Sequence, residues 1–226
     1  VHVAGRLAPI GSLQQRANLV ALKHRPSAVE LMDHYVFEAT KRNMGQIENR
    51  FFIEGDPRAI LVAELTRASA TEVEADAKRL IEDLNSQGLG YSWPVVSGDD
   101  IRKVWNLRKA GLGLLSNVPG DSKPVPVIED TAVDVEDLPA YISDVGEMLK
   151  KHGLYSVHYA HAGSGELHLR PIINLKTTEG INLFLAGTAL PDWLGVVDRK
   201  VRVREKLVAA FVGGDDLRLR AAAARV

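Results

Sequence analysis

The sequence predicts an α+β fold, an antiparallel or mixed sheet with helices packed on one face. Three observations lead there. Apolar, β-like runs alternate with amphipathic helical segments along the chain. The last two strand candidates, residues 159–162 and 166–173, are separated only by a Gly-Ser-Gly tip, so they pair antiparallel. The clearest helical segment, residues 71–85, is apolar on one side only, as a helix lying on a sheet should be.

Residues 13–22 read as a short helix, and residues 28–32 as a strand running into a helix over 33–42. Residues 58–65 form an apolar strand after Gly55-Asp56-Pro57. In the helix over 71–85, Thr71 and Glu74 have capping-box spacing. Its apolar residues recur at Val73, Ala77, Leu80, Ile81 and Leu84, and Gly88 provides a stop. A further helix is expected over 99–115, a strand over 125–130, and a helix over 137–152 ended by Gly153. Gly111-Leu112-Gly113 lacks the strand–turn–helix setting of a phosphate loop and reads as a helix-packing or turn site.

A length of 226 residues fits one large domain or a domain plus an appendage, and 46% hydrophobic residues suffice for a core. A formal net charge of −1 lacks the basic excess that nucleic-acid binding calls for. No apolar run reaches the ~20 residues of a membrane span. With no cysteine, the chain itself holds no disulfide, thiolate metal site or iron–sulfur cluster, so any metal falls to His, carboxylates, backbone and water. The chain begins at Val1, which fits a fragment or a processed product.

The chemistry concentrates in the final hairpin, His161-Ala162-Gly163-Ser164-Gly165-Glu166-Leu167-His168-Leu169-Arg170. Side chains alternate across a strand, so Tyr159, His161, Glu166, His168 and Arg170 share one face, while Ala160, Ala162, Leu167 and Leu169 share the other. A two-residue loop at Ser164-Gly165 puts His161 opposite His168 and Tyr159 opposite Arg170. Opposed imidazoles, with Cβ atoms ~5 Å apart, are close enough to share a metal ion. His2, His24, His34 and His152 join no such constellation.

The run Trp105-Asn106-Leu107-Arg108-Lys109-Ala110-Gly111-Leu112-Gly113-Leu114-Leu115, then Gly120-Asp121-Ser122-Lys123-Pro124 and residues 127–133, with the hairpin and Pro171-Ile172-Ile173-Asn174-Leu175-Lys176, resembles a known family. Over residues 13–180 the chain is similar to the C-terminal, substrate-covering domain of FAD-linked oxidases, the flavoproteins that include D-lactate, glycolate and D-2-hydroxyglutarate dehydrogenases. That resemblance implies a ferredoxin-like cap over residues 1–180 that places a small 2-hydroxy acid against FAD held by a separate flavin domain. It implies His161 and His168 as ligands of a divalent metal such as Zn, Mn or Fe. It assigns Arg108 to a substrate carboxylate, which the guanidinium fork suits, and Lys123 to a second carboxylate position. Tyr159 and Arg170 join as further substrate contacts through the hairpin pattern. The metal lowers the pKa of the substrate hydroxyl and hydride passes to flavin. An iron–sulfur or quinone acceptor and a cytoplasmic location, at most peripheral at the inner membrane, are implied as well.

The tail departs from the pattern. Relatives carry a Gly-Glu-His-Gly segment after the cap helix, whose Glu completes the metal shell and whose His is the base. Here Ala186-Gly187-Thr188-Ala189-Leu190-Pro191-Asp192-Trp193 follows, and then a basic stretch within residues 181–226. Two histidines without a third protein ligand make a weak or water-completed site, and the isolated chain is expected to be inactive. The alternative is a non-catalytic cap that binds a metal–carboxylate ligand or another protein.

Overall fold

The computed structural model describes residues 2–5 and 13–187. Among these residues seven strands build one antiparallel sheet: β1 (His2–Gly5), β2 (Ala28–Asp33), β3 (Ala59–Glu64), β4 (Lys123–Pro124), β5 (Ile128–Ala132), β6 (Ser156–His161) and β7 (Glu166–Ile173). Their order is β1-β3-β2-β6-β7-β4, and β5 also pairs with β7. Six α-helices accompany them: α1 (Leu13–Lys23), α2 (His34–Glu38), α3 (Ala70–Ser86), α4 (Asp100–Leu114), α5 (Leu138–Lys151) and α6 (Thr178–Gly187). The expected α+β class, with its antiparallel sheet and helical layer, is what the chain adopts.

Strand alternation sorts the core into two clusters. Val29, Leu31, Ala59, Leu61, Ala63, Ala160, Leu167 and Leu169 point to one face and pack under α1, α3 and α5. The intervening residues Met32, Ile60, Val62, Val157 and Tyr159 point the other way and meet α2 and α4. The first face is the main helical layer. The second is a smaller cluster, and it carries the polar side chains of the hairpin.

Several boundaries differ from the sequence expectation for local reasons. The helix expected over 33–42 is only His34–Glu38, capped by Asp33, whose Oδ1 accepts from Val36 N at 3.2 Å. Beyond it the Phe37 carbonyl accepts from the Thr40 hydroxyl and the Arg50 guanidinium, and a 3-10 turn occupies Met44–Arg50. The cap of α3 is Ser69, accepting from Glu72 N at 3.3 Å, two residues ahead of Thr71. Ser69 and Glu72 repeat the Ser/Thr-x-x-Glu spacing, so the sequence offered two overlapping boxes. Gly111 does pack helix on helix: a Cβ there would lie 2.7 Å from Val36 Cγ1 and 2.8 Å from its carbonyl oxygen. Helix α6 continues past residue 180, and the basic tail from residue 188 onward lies outside the described residues.

Candidate metal and carboxylate site

The hairpin does not close with two residues. Residues 162–165 make the connection, with a 3-10 turn over Ala162–Ser164 and Gly165 left-handed at φ 74°. Four-residue connections built on such turns are common in hairpins. Ala162 is buried and its carbonyl accepts from the Asn18 amide at 2.8 Å, which pins the turn to α1. The register therefore moves by two: His161 opposes Glu166 and Tyr159 opposes His168. The expected pairings of His161 with His168 and of Tyr159 with Arg170 are replaced. An even shift leaves every side chain on its face, so the cluster survives.

His161, Glu166 and His168 each offer a donor atom, and these atoms lie within 4.8 Å of one another. The imidazole rings are 5.3 Å apart and nearly perpendicular. His168 is buried and stacks on Tyr159 at 4.3 Å, which fixes its ring plane, while the His161 side chain is 42% exposed. Two imidazoles and a carboxylate form an ordinary donor set for Zn, Mn or Fe(II). Glu166 thus stands where a third ligand is needed, a role that sequence reasoning left to a segment further along the chain.

Arg108 reaches this cluster from α4. Its Nη2 pairs with Glu30 Oε2 and lies 3.4 Å from His161 Nδ1, and its guanidinium carbon stands 5.7 Å from the centre of the Tyr159 ring. Arg108 Nε is buried without a hydrogen-bond partner. Arg170 approaches the same Tyr159 ring at 5.6 Å. Helix α4 is held to the sheet by two carboxylates, since Trp105 Nε1 donates to Glu64 Oε2 at 2.9 Å while Arg108 meets Glu30.

The structure thus brings Arg108, Tyr159, His161, His168 and Arg170 together, and Lys123 apart from them. Lys123 pairs with Ile173, five residues along β7 from His168, or about 16 Å at ~3.3 Å per residue. By strand parity Lys123 shares the face of Ile173, opposite that of His168. Its ammonium donates to the Val118 carbonyl and borders a shallow recess with Asp121, Leu175 and Lys176. The side chains of Glu129 and Asp130 lie outside the described residues. Sequence reasoning missed Glu30 altogether. Its signal was a lone carboxylate inside the apolar strand Ala-Val-Glu-Leu-Met, but that β2 would lie beside β6 was not readable locally.

Residues 7–186 match the family described as FAD linked oxidases, C-terminal domain. The chain belongs to this family. This FAD linked oxidase C-terminal domain is similar to proteins named D-2-hydroxyglutarate dehydrogenase. The one from Pseudomonas putida is 29% identical over 163 residues, covering 69% of this chain and 16% of that protein. Those from Haemophilus influenzae and Pantoea ananatis are 39% identical over 84 residues and 42% over 77, each stretch covering 8% of the relative. The domain therefore matches only a small part of each relative's length. No helix among its described residues is long and apolar enough to cross a membrane.

Proposed function

We propose that this chain is the substrate-covering domain of a FAD-dependent D-2-hydroxy acid dehydrogenase, with a small 2-hydroxy acid as substrate and a flavin domain as its partner. The observation that carries this reading is a convergence on one sheet face. The donor set His161–Glu166–His168 lies beside a guanidinium whose Nε is buried and unpartnered. Buried donors of this kind rarely go unsatisfied, and a ligand carboxylate is the natural acceptor for the edge of an arginine fork. The names of the relatives suggest D-2-hydroxyglutarate as the first substrate to try.

In this reading His161 and His168, with Glu166 beside them, hold the divalent cation, and Arg108 holds the substrate carboxylate. Tyr159 keeps both in place, through its stack on His168 and its contact with Arg108. Arg170, which approaches the same ring, adds positive charge for an acidic ligand. When bound, the cation supplies Lewis acidity to the substrate's hydroxyl and carboxylate oxygens, and the flavin supplies the hydride acceptor for oxidation to the 2-oxo acid. Transfer of electrons onward to an iron–sulfur or quinone acceptor belongs to the whole protein.

The test is a calorimetric Zn²⁺ and Mn²⁺ titration of the chain beside its His161→Ala/His168→Ala variant. The expected result is saturable 1:1 binding that the double variant loses. Equal binding by both would remove the hairpin as a metal site and favour the non-catalytic cap.

A further inference from the structure

We infer that Glu30 is a positioning residue that sets the tautomer of His161 and fixes the Arg108 guanidinium, so that metal site and carboxylate clamp are built on one buried carboxylate. This deepens the proposed function and rests on it for the metal. The placement of the proton does not.

Glu30 belongs to β2, on the strand beside the hairpin rather than on it, and is 8% exposed. A carboxylate inside a strand of apolar residues is costly unless it is paired. It is paired twice. Its Oε1 and Oε2 lie 2.8 and 3.1 Å from His161 Nδ1, and Oε2 also meets Arg108 Nη2. With Glu30 as a carboxylate and Arg108 as a guanidinium, the triangle is satisfied only with a proton on Nδ1. A guanidinium nitrogen can only donate and a carboxylate oxygen can only accept. If Nδ1 bore a lone pair, it would face two carboxylate oxygens, lone pair against lone pair, at 2.8 and 3.1 Å. With a proton on Nδ1, it donates to Glu30. The remaining mismatch is a donor–donor contact with Arg108 Nη2 at 3.4 Å, longer than either.

Nδ1 therefore carries a proton, and in the neutral imidazole that leaves the lone pair on Nε2, which is the form an imidazole must take to ligate a metal through Nε2. His168 needs less help, being buried and stacked on Tyr159, whereas the more exposed His161 gains its fixed orientation from Glu30. Glu30 itself stands outside the group of mutually close donors, so it orients a ligand and is not one. The same carboxylate holds Arg108 Nη2, which leaves the buried Nε as the unmet donor of the fork.

The experiment reads two quantities on the full chain: the His161 ring tautomer from long-range ¹H–¹⁵N NMR without metal over a pH series that reaches its neutral form, and Zn²⁺ affinity by calorimetry. The wild type is expected to show the Nδ1–H form. Glu30→Leu is expected to scramble the tautomer and weaken Zn²⁺ binding about 10- to 100-fold. Glu30→Gln keeps one oxygen acceptor and should stay within about threefold of wild type, a rescue that a purely structural charge would not show. A wild-type His161 in the Nε2–H form overturns the inference, as does a folded Glu30→Leu chain that binds Zn²⁺ like wild type. If Glu30→Leu does not fold, the wild-type tautomer decides alone. A wild type that binds no Zn²⁺ but shows Nδ1–H overturns the metal reading and leaves the role of Glu30 standing.

Discussion

Gly165→Ala should damage the chain at the point where the site is assembled, and the size of the loss follows from the structure. Gly165 sits at φ 74°, and a Cβ added there would lie 2.1 Å from the Val133 carbonyl oxygen and 3.2 Å from its carbon. Holding a non-glycine residue in left-handed backbone costs roughly 1–2 kcal/mol. Relieving the overlap requires the Val133 backbone to retreat by more than ~1 Å, an overpacking cost of about 1–3 kcal/mol. That movement also strains the hydrogen bond from Val133 N to Gly165 O, now 3.0 Å. These terms overlap, so the expected loss is about 3 kcal/mol. At ~2–4 °C per kcal/mol for a domain of this size, Tm falls by roughly 6–12 °C. Gly146→Ala serves as the control: Gly146 is exposed on α5, and a Cβ there meets nothing within 4 Å. That variant should gain about 0.4–1 kcal/mol. Thermal and urea unfolding followed by circular dichroism measures both. A Gly165→Ala loss below about 1 kcal/mol would refute the idea that this glycine sets the four-residue turn and the register of His161 against Glu166.

Arg108→Ala should weaken binding of D-2-hydroxyglutarate to the metal-loaded chain at least tenfold. It should also destabilise the chain by about 3 kcal/mol, since it leaves the buried Glu30 without its cation. Arg108→Lys should restore little of the binding, because an ammonium lacks the planar fork; equal calorimetric affinities for the Lys variant and wild type would sink the clamp. Burial pushes the Tyr141 phenol well above its ordinary value, opposed in part by the Thr131 hydroxyl. The neutral phenol is favoured in the folded state, so this contribution is fully present below the unfolded pKa of about 10 and is lost as pH rises beyond it. The stability difference between wild type and Tyr141→Phe should therefore shift against wild type by about 1.4 kcal/mol per pH unit above pH ~10, and a flat difference in urea melts from about pH 9 to 11 would contradict the burial argument.

The parts of the fold legible in the sequence are those fixed by local periodicity. The helix around Leu80 and Leu84, the one carrying Arg108 and the strand Ala59–Glu64 all fall within a residue or two of expectation, because each writes its buried face into its own spacing. Where two local signals competed, the sequence could not rank them. Ser69 and Thr71 both offered a cap, and the expected strand over 125–130 became Lys123–Pro124 and Ile128–Ala132 on either side of residues 125–127. The separation of Lys123 from the hairpin cluster has a related cause: its place along β7 and its face depend on pairing with Ile173, which no local pattern encodes.

The hairpin shows which sequence inferences tolerate error. The loop length was wrong by two residues, and every directly opposed pair was wrong with it, yet the shared face of Tyr159, His161, Glu166, His168 and Arg170 was right. Face membership depends only on whether the shift is even or odd, and an odd shift would have driven Glu166, His168 and Arg170 into the core while exposing Leu167 and Leu169. Burying three ionisable side chains and exposing two leucines is so unfavourable that the apolar alternation alone excludes it. No comparable penalty separates registers that differ by two. That choice falls to the turn, through the Asn18 amide on the Ala162 carbonyl and the left-handed Gly165. The shared face of the hairpin side chains was thus readable from one strand pair. The geometry of the site depended on α1, and its buried carboxylate Glu30 came from β2, both more than a hundred residues away in sequence.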